Sequence, residues 1–389
     1  MKLTESTQTL INNLEPYPLT LGDRFLQLTK LLLPNAEFRH SLFPKLAHLQ
    51  ALSPGKKKKY WELETTLKFR DKSLPLLLSS PLVLAAGGNK TGKNLPYFHA
   101  FGLGGVCVGT ATAQATEGNP YRPRIHLLPE DKAILNAMGL NNPGVEAVAK
   151  AVDLHLGRSH AKKMALGISV GETPGTEESD QKIKEVVQAF RRAYRAADWV
   201  EINVSCPNTG SQRTDWHKSY LATLLTEIMQ IRKNLAPRKA VYIKLSPDLG
   251  QHALDQTLDL VNQAGVTGLV LFNTFPLERA RFLDLKTTPL PSVSADGKRG
   301  GISGSPLYKN TLPAVKYIKK QLPHLSIMAA GGVDHGAKVL ELLLAGADLV
   351  QCYSVFAYRW NAIHKMNKEL LEALTKKGFS SMEQLYESR

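Results

Sequence analysis

Apolar and polar positions divide the chain into two regions. Over residues 1–75, Leu21, Phe25, Leu28 and Leu32 recur at helical spacing, and Pro34 ends that helix. A second apolar segment carries Leu42, Phe43, Leu46 and Leu49, and Pro54-Gly55 breaks it. From Leu82 onward short β-rich runs alternate with helical patterns. Candidate strands are LVLAAG (82–87), VCVGT (106–110), LGISV (166–170), WVEINVS (199–205), VYIKLS (241–246), LVLFNT (269–274), SIMAAGG (326–332) and LVQCYS (349–354). Amphipathic stretches such as Ile183–Ala197, Tyr220–Leu235, Leu254–Ala264 and Ala337–Ala345 separate them. Eight apolar strands joined by helices predict parallel βα units closing into a (β/α)8 TIM barrel over residues 76–389, preceded by a helical extension over 1–75. An open doubly wound sheet is the runner-up, and the lack of a GxGxxG after the first strand counts against it.

Composition narrows the class. An apolar fraction of 43% and a charged fraction of 21% describe a folded globular chain. No apolar run reaches the roughly 18 residues of a membrane-spanning helix, and no secretory signal is read at the N-terminus. Cys107, Cys206 and Cys352 are too few and too scattered for a disulfide scaffold or a zinc cage, which suits a reducing compartment. A net charge of +15 asks for an anionic partner without saying which. The first 75 residues hold 12 basic and 7 acidic side chains, so most of that excess lies in the barrel region. Lys56–Lys59 beside Tyr60 and Trp61 suits an anionic membrane surface or a solvated loop, and the run alone favours the loop.

A barrel places its chemistry at the carboxyl ends of its strands. Those ends read Ala85-Ala86-Gly87, Gly109-Thr110, Asn203 to Cys206, Lys244, Asn273-Thr274, Gly331-Gly332 and Tyr353-Ser354. Backbone N–H groups of the last two sets, with the loop Gly300–Gly304, suit a phosphate such as that of a flavin mononucleotide. Lys244 would set positive charge near the electron-rich edge of a reduced isoalloxazine. Asn203 and Asn208 flank Cys206 on a loop stiffened by Pro207. Paired amides can read the alternating C=O and N–H edge of a pyrimidine-like ring, and a thiol between them can remove a carbon-bound proton. Cys107 and Cys352, inside apolar strands, read as small buried hydrophobes.

These stretches resemble the dihydroorotate dehydrogenases over roughly residues 75–360. The resemblance is carried by LAAGGNKTGK (84–93), EGNPYRPRIHLLPEDKAILNAMGLNNPGVEAV (117–148), NVSCPNTG (203–210), YIKLSPDL (242–249), FNT (272–274), GGISGSPL (300–307), AAGGV and LVQCYS. It implies an FMN-dependent barrel enzyme of pyrimidine synthesis. Lys90, Asn136, Asn203, Asn208, Asn273 and Thr274 would hold the orotate ring and its carboxylate. Ala86, Gly109, Thr110, Asn203, Lys244, Gly304, Gly332, Tyr353 and Ser354 would hold FMN. Cys206 would be the base that takes the proton from C5 of dihydroorotate, with hydride passing from C6 to flavin N5.

GNPYRPR, ISGSPL and the helical extension look most like the membrane-associated, quinone-reducing class. That implies a quinone acceptor and peripheral membrane contact through residues 1–75 on the cytoplasmic side. Five positions depart from this class. Cys206 stands in place of its serine and Leu140 in place of its phenylalanine, both as in the soluble class. Leu127 stands where quinone reducers carry an arginine facing the quinone. Ser169 replaces an asparagine that contacts flavin, and Phe272 a small polar residue beside it. Two alternatives follow: a flavin barrel acting on another reduced pyrimidine, including one within RNA, and a non-catalytic relative serving as a binding or membrane-surface protein. Lys90 and the asparagines favour a small anionic acid, so no nucleic-acid partner is expected.

Overall fold

The computed structural model describes residues 36–38, 40, 60–204, 216–359 and 361–389, with backbone alone at 216–218. Two short strands, β1 (Thr65–Leu67) and β2 (Leu76–Leu78), pair antiparallel. Next come β3 (Leu82–Asn89), β4 (Gly105–Ala111) and the hairpin β5 (Ile125–Leu128) and β6 (Ala133–Asn136). Helix and strand then alternate through α1 (Val145–His160), β7 (Ala165–Gly171), α2 (Ser179–Ala196), β8 (Trp199–Asn203) and α3 (Trp216–Lys233). The pattern continues with β9 (Ala240–Leu245), α4 (Gln251–Ala264) and β10 (Gly268–Leu271). After β11 (Phe275–Pro276) and β12 (Gly301–Gly304) come α5 (Tyr308–Gln321), β13 (Ser326–Ala330) and α6 (Gly336–Leu344). The chain finishes with β14 (Leu349–Cys352), α7 (Ala362–Lys376) and α8 (Met382–Glu387).

Eight of these strands close into a barrel in the order β10-β13-β14-β3-β4-β7-β8-β9. Every neighbouring pair runs parallel, as the intervening helices require. All eight candidate strands are present, so the expected TIM barrel is the fold. The strands are apolar on both faces because both are covered. Leu82, Leu84, Val106, Val108, Val200 and Ile202 join the core shared with the helices. Their alternates Val83, Cys107, Trp199, Tyr242, Val270, Met328 and Leu349 meet inside the barrel, together with Leu67, Leu76 and Leu78 of the β1–β2 pair.

The inner layer is anchored by two large rings. Trp199 and Tyr242 are fully buried, and burial of such a side chain contributes about 4–6 kcal/mol before entropy is counted. Room for the indole comes from Gly167, where a Cβ would lie 2.1 Å from Trp199 Cε2. The helices follow ordinary rules. In α2, Ile183, Val186, Val187, Phe190, Ala193 and Tyr194 are buried at a spacing of three and four. Below the barrel, buried Arg232 donates to Ser73 at 2.6 Å, Thr267 at 3.0 Å and the Lys239 carbonyl at 2.9 Å, and also binds Asp71. Burial alone would raise the Asp71 pKa, but hydrogen bonds donated to it by Arg232, Ser73 and Thr267 hold it below the ordinary carboxylate value.

A second sheet, in the order β11-β12-β6-β5, is antiparallel throughout. It has its own core of Leu128, Leu135, Phe275, Leu283, Val293 and Ile302. Because β11 begins directly after Thr274, this sheet stands at the carboxyl end of the barrel. The stretch Gly301–Gly304, read from sequence as part of a loop, is a strand of this sheet, with Gly301 opposite Asn136 and Gly304 opposite Ala133.

Candidate active site

Polar side chains accumulate where the barrel strands end. Thr110, Ser169, Asn203 and Lys244 are all buried although none is apolar. A continuous hydrogen-bond chain explains most of them. Thr110 Oγ1 and Ser169 Oγ lie 2.9 Å apart, and the Asn203 amide donates to Thr110 Oγ1 at 2.9 Å. The Asn273 amide then donates to Asn203 Oδ1 at 3.1 Å, while Asn273 Oδ1 accepts from the Thr274 N–H at 2.8 Å. Four strand ends are thereby tied together and present amide edges toward the mouth. Lys244, 5% exposed, takes no part in this chain, and among the described residues it has neither a hydrogen bond nor an ion pair.

The rim completes the arrangement. Lys90, just past β3, donates to Asn141 Oδ1. Asn136, at the end of β6, is carried by the upper sheet, and its amide donates to the Gly301 carbonyl at 3.2 Å. Ala86 and Gly87 are half-buried at the end of β3; Gly87 has φ +103° and a Cβ there would meet nothing within 4 Å. Gly109 lies in β4, Gly304 ends β12, Gly332 follows β13, and Tyr353 and Ser354 follow β14. Every expected site residue except two is thus at the barrel mouth or on the sheet beside it. Cys206 and Asn208 lie outside the described residues.

Sequence reading missed three features. Asn141 stood in plain view beside Asn142 in the LNN run, yet its link to Lys90 needs the fold. Glu201 and Gln351 meet inside the barrel from opposite strands, a contact that no spacing could reveal. The third feature is a contact from the extension, where residues 36–38 and 40 are helical. The Glu37 carboxylate accepts from Arg124 Nε at 2.8 Å and from the Arg124 backbone N–H at 3.2 Å, with Arg122 Nε 3.6 Å away. Burial works to raise the Glu37 pKa, and the Arg124 and Arg122 donors and charges more than offset it.

Beside this clamp His40 Nδ1 is hydrogen-bonded to the Tyr353 hydroxyl, with the rings edge to face at 5.7 Å. Burial, reinforced by the Lys90 cation, pushes the His40 pKa down to about 3, so its imidazole is neutral at ordinary pH. Burial also pushes the Tyr353 phenol up. Ile125, Ile134 and Met138 pack here against Ala36, Leu127, Tyr353, Ala357 and Tyr358. The arrangement sets a cluster of polar side chains at the barrel mouth beside an apolar cluster that includes Tyr353.

Comparison with known proteins agrees with this geometry. The family model for dihydroorotate dehydrogenase matches residues 70–374. The chain is 32% identical over 367 residues to the dihydroorotate dehydrogenase (quinone) of Thermosynechococcus vestitus, covering 94% of this chain and 93% of that one. It is 36% identical over 288 residues to the protein of the same name from Clavibacter michiganensis, covering 74% and 80%. Among solved structures, ligand-free DHODH from Eimeria tenella aligns over 90% of this chain and 98% of its own, with a TM-score of 0.76 at 26% identity. The match to the family spans most of the described barrel, and the chain belongs to the dihydroorotate dehydrogenase family.

Proposed function

We propose that this chain oxidises dihydroorotate to orotate, with FMN as its cofactor and a quinone as its electron acceptor. The observation that carries the reading is Lys244, an almost buried cation at a strand end with no partner in the described protein. Such a charge is costly unless a ligand's negative edge meets it. The other residues fit an FMN beside it: the open space at Gly87, and the backbone of Ala86, Gly109, Thr110, Gly304, Gly332, Tyr353 and Ser354 around the same mouth. When bound, FMN supplies the electron sink that accepts hydride from C6 of the substrate.

The chain's own residues do the remaining work. Lys90 meets the substrate carboxylate, held in place by its bond to Asn141. Asn136, Asn203, Asn208, Asn273 and Thr274 hold the ring, and the Thr110–Asn203–Asn273 chain fixes the orientation of two of these amides. Cys206 removes the proton from C5. Ser169 has its hydroxyl engaged by Thr110, so it braces the mouth from behind.

The apolar cluster beside Tyr353 supports a lipid-soluble acceptor. Leu127 is apolar where the quinone-reducing class carries an arginine, and the neutral His40, bonded to Tyr353, adds a polar contact beside that cluster. Among the described residues no helix is long and apolar enough to cross a membrane. Residues 1–75 serve in this proposal as a cap that touches the membrane surface from the cytoplasmic side, with 76–389 as the catalytic barrel. Flotation with anionic liposomes tests the cap, since a chain without residues 1–59, which keeps β1 and Asp71, should no longer float. For the chemistry, Cys206→Ala should retain flavin but reduce it roughly 10²–10⁴-fold more slowly with dihydroorotate. An unchanged reduction rate overturns the role of the thiol.

A further inference from the structure

Glu201 is fully buried inside the barrel, two residues before Asn203 on β8. Its Oε1 accepts from the Trp199 indole at 3.2 Å and from the Gln351 amide, which reaches it across the barrel from β14. Among the described residues neither Glu201 Oε2 nor Gln351 Oε1 has a hydrogen-bond partner. A carboxylate is thus held among Val270, Met328 and other apolar side chains, with fewer donors than it can use. The catalytic reading above gives it no task.

The compensating charge is close at hand. Lys244 stands on β9, the neighbour of β8, where the register sets Lys244 opposite Asn203 and Tyr242 opposite Glu201. Neither charge is neutralised by direct contact, since the Lys244 ammonium has no ion pair among the described residues. Cys107, on β4, senses both. Burial raises its thiol pKa most, the Glu201 charge raises it further, and the Lys244 charge opposes them.

We propose that Glu201 is the counter-charge of Lys244: a positioning residue beneath the barrel mouth that moderates the positive field the lysine exerts on a reduced flavin. This rests on the flavin reading of the site. The carboxylate partly cancels the attraction between Lys244 and the negative charge of the reduced ring, and so keeps the reduced cofactor reducing enough to pass its electrons to an acceptor. A unit charge roughly 10 Å away in a medium of effective dielectric about 20 changes the ratio of reduced to oxidised cofactor on the order of tenfold. For a two-electron couple that is about 30 mV.

The test is the midpoint potential of the full-length, FMN-loaded protein by dye equilibration. Glu201→Gln removes the charge and keeps the shape, so its flavin should be easier to reduce by on the order of tenfold. Glu201→Asp keeps the charge and should stay within about threefold of the parent. A potential unmoved by Glu201→Gln overturns the proposal, as does an equal shift in both variants, which would mark a packing effect. If Glu201→Gln does not accumulate as folded protein, the infrared difference spectrum of the parent on flavin reduction decides. A perturbed carboxylate stretch supports the proposal, and a protonated-carboxyl band overturns it. Protein that takes up no FMN overturns the flavin reading and this proposal together; flavin bound with an unmoved potential overturns this proposal alone.

Discussion

Glu37 offers a way to separate the two halves of the proposed reaction. Glu37→Ala removes the acceptor of three hydrogen bonds from Arg124, whose residue is 6% exposed, and leaves the guanidinium with the Glu117 carbonyl at 2.7 Å as its one acceptor among the described residues. Breaking a largely buried ion pair costs about 3–5 kcal/mol, and the low end applies because one side of this pair reaches solvent. At 1.4 kcal/mol per tenfold, about 3 kcal/mol weakens docking of the segment around His40 on the order of a hundredfold. That segment touches Tyr353 through His40 and joins the apolar cluster through Ala36. Anaerobic stopped-flow reduction by dihydroorotate should therefore stay within about twofold of the parent, while steady-state turnover with a quinone falls at least tenfold. The charge-swapped pair Glu37→Arg with Arg124→Glu should recover part of the loss. Unchanged quinone turnover would refute the reasoning, and so would an equal fall in both half-reactions.

Other sites give independent checks. Lys90→Met should raise the KM for dihydroorotate roughly 10–100-fold, the worth of one charge-assisted bond to a carboxylate, with flavin content unchanged in the absorbance spectrum. Asp71→Asn should destabilise the fold by about 3 kcal/mol in denaturant unfolding near neutral pH, because Arg232 is then buried without its anion. The Asp71 pKa is lowered in the folded state, so its contribution is present above the unfolded value and is lost as pH falls through the folded one; parent and variant should converge in acid. His160 behaves oppositely. Its hydrogen bond to Asp198 raises its pKa against the effect of burial, so its contribution is complete below the unfolded pKa and fades as pH rises through the folded one. A His160→Ala variant should show a stability deficit in mild acid that narrows toward alkaline pH.

The barrel was legible because its strands are buried on both faces and therefore stand out as continuous apolar runs between amphipathic helices. The upper sheet was not. Its strands are two to four residues long, and β6 pairs with β12, more than 160 residues away, a contact that no local pattern encodes. For the same reason Gly301–Gly304 looked like a phosphate-binding turn when read in isolation. Most of the mouth was legible, since Lys90, Asn203, Lys244 and Asn273 interrupt or end apolar runs where a packed strand has no use for them. What the pattern hid was pairing between distant strands. Glu201 sits in the middle of WVEIN, and its partner Gln351 in the middle of LVQC, and each alone reads as a tolerated polar residue in a strand. His40 and Glu37 gave no signal at all, because their partners Tyr353 and Arg124 come from other parts of the chain.

The most direct measurement is an anaerobic titration of the purified, FMN-supplemented protein with dihydroorotate, followed by flavin absorbance. The account predicts a yellow protein that bleaches stoichiometrically and regains its colour when a quinone is added. Flavin that stays oxidised throughout the titration would contradict it.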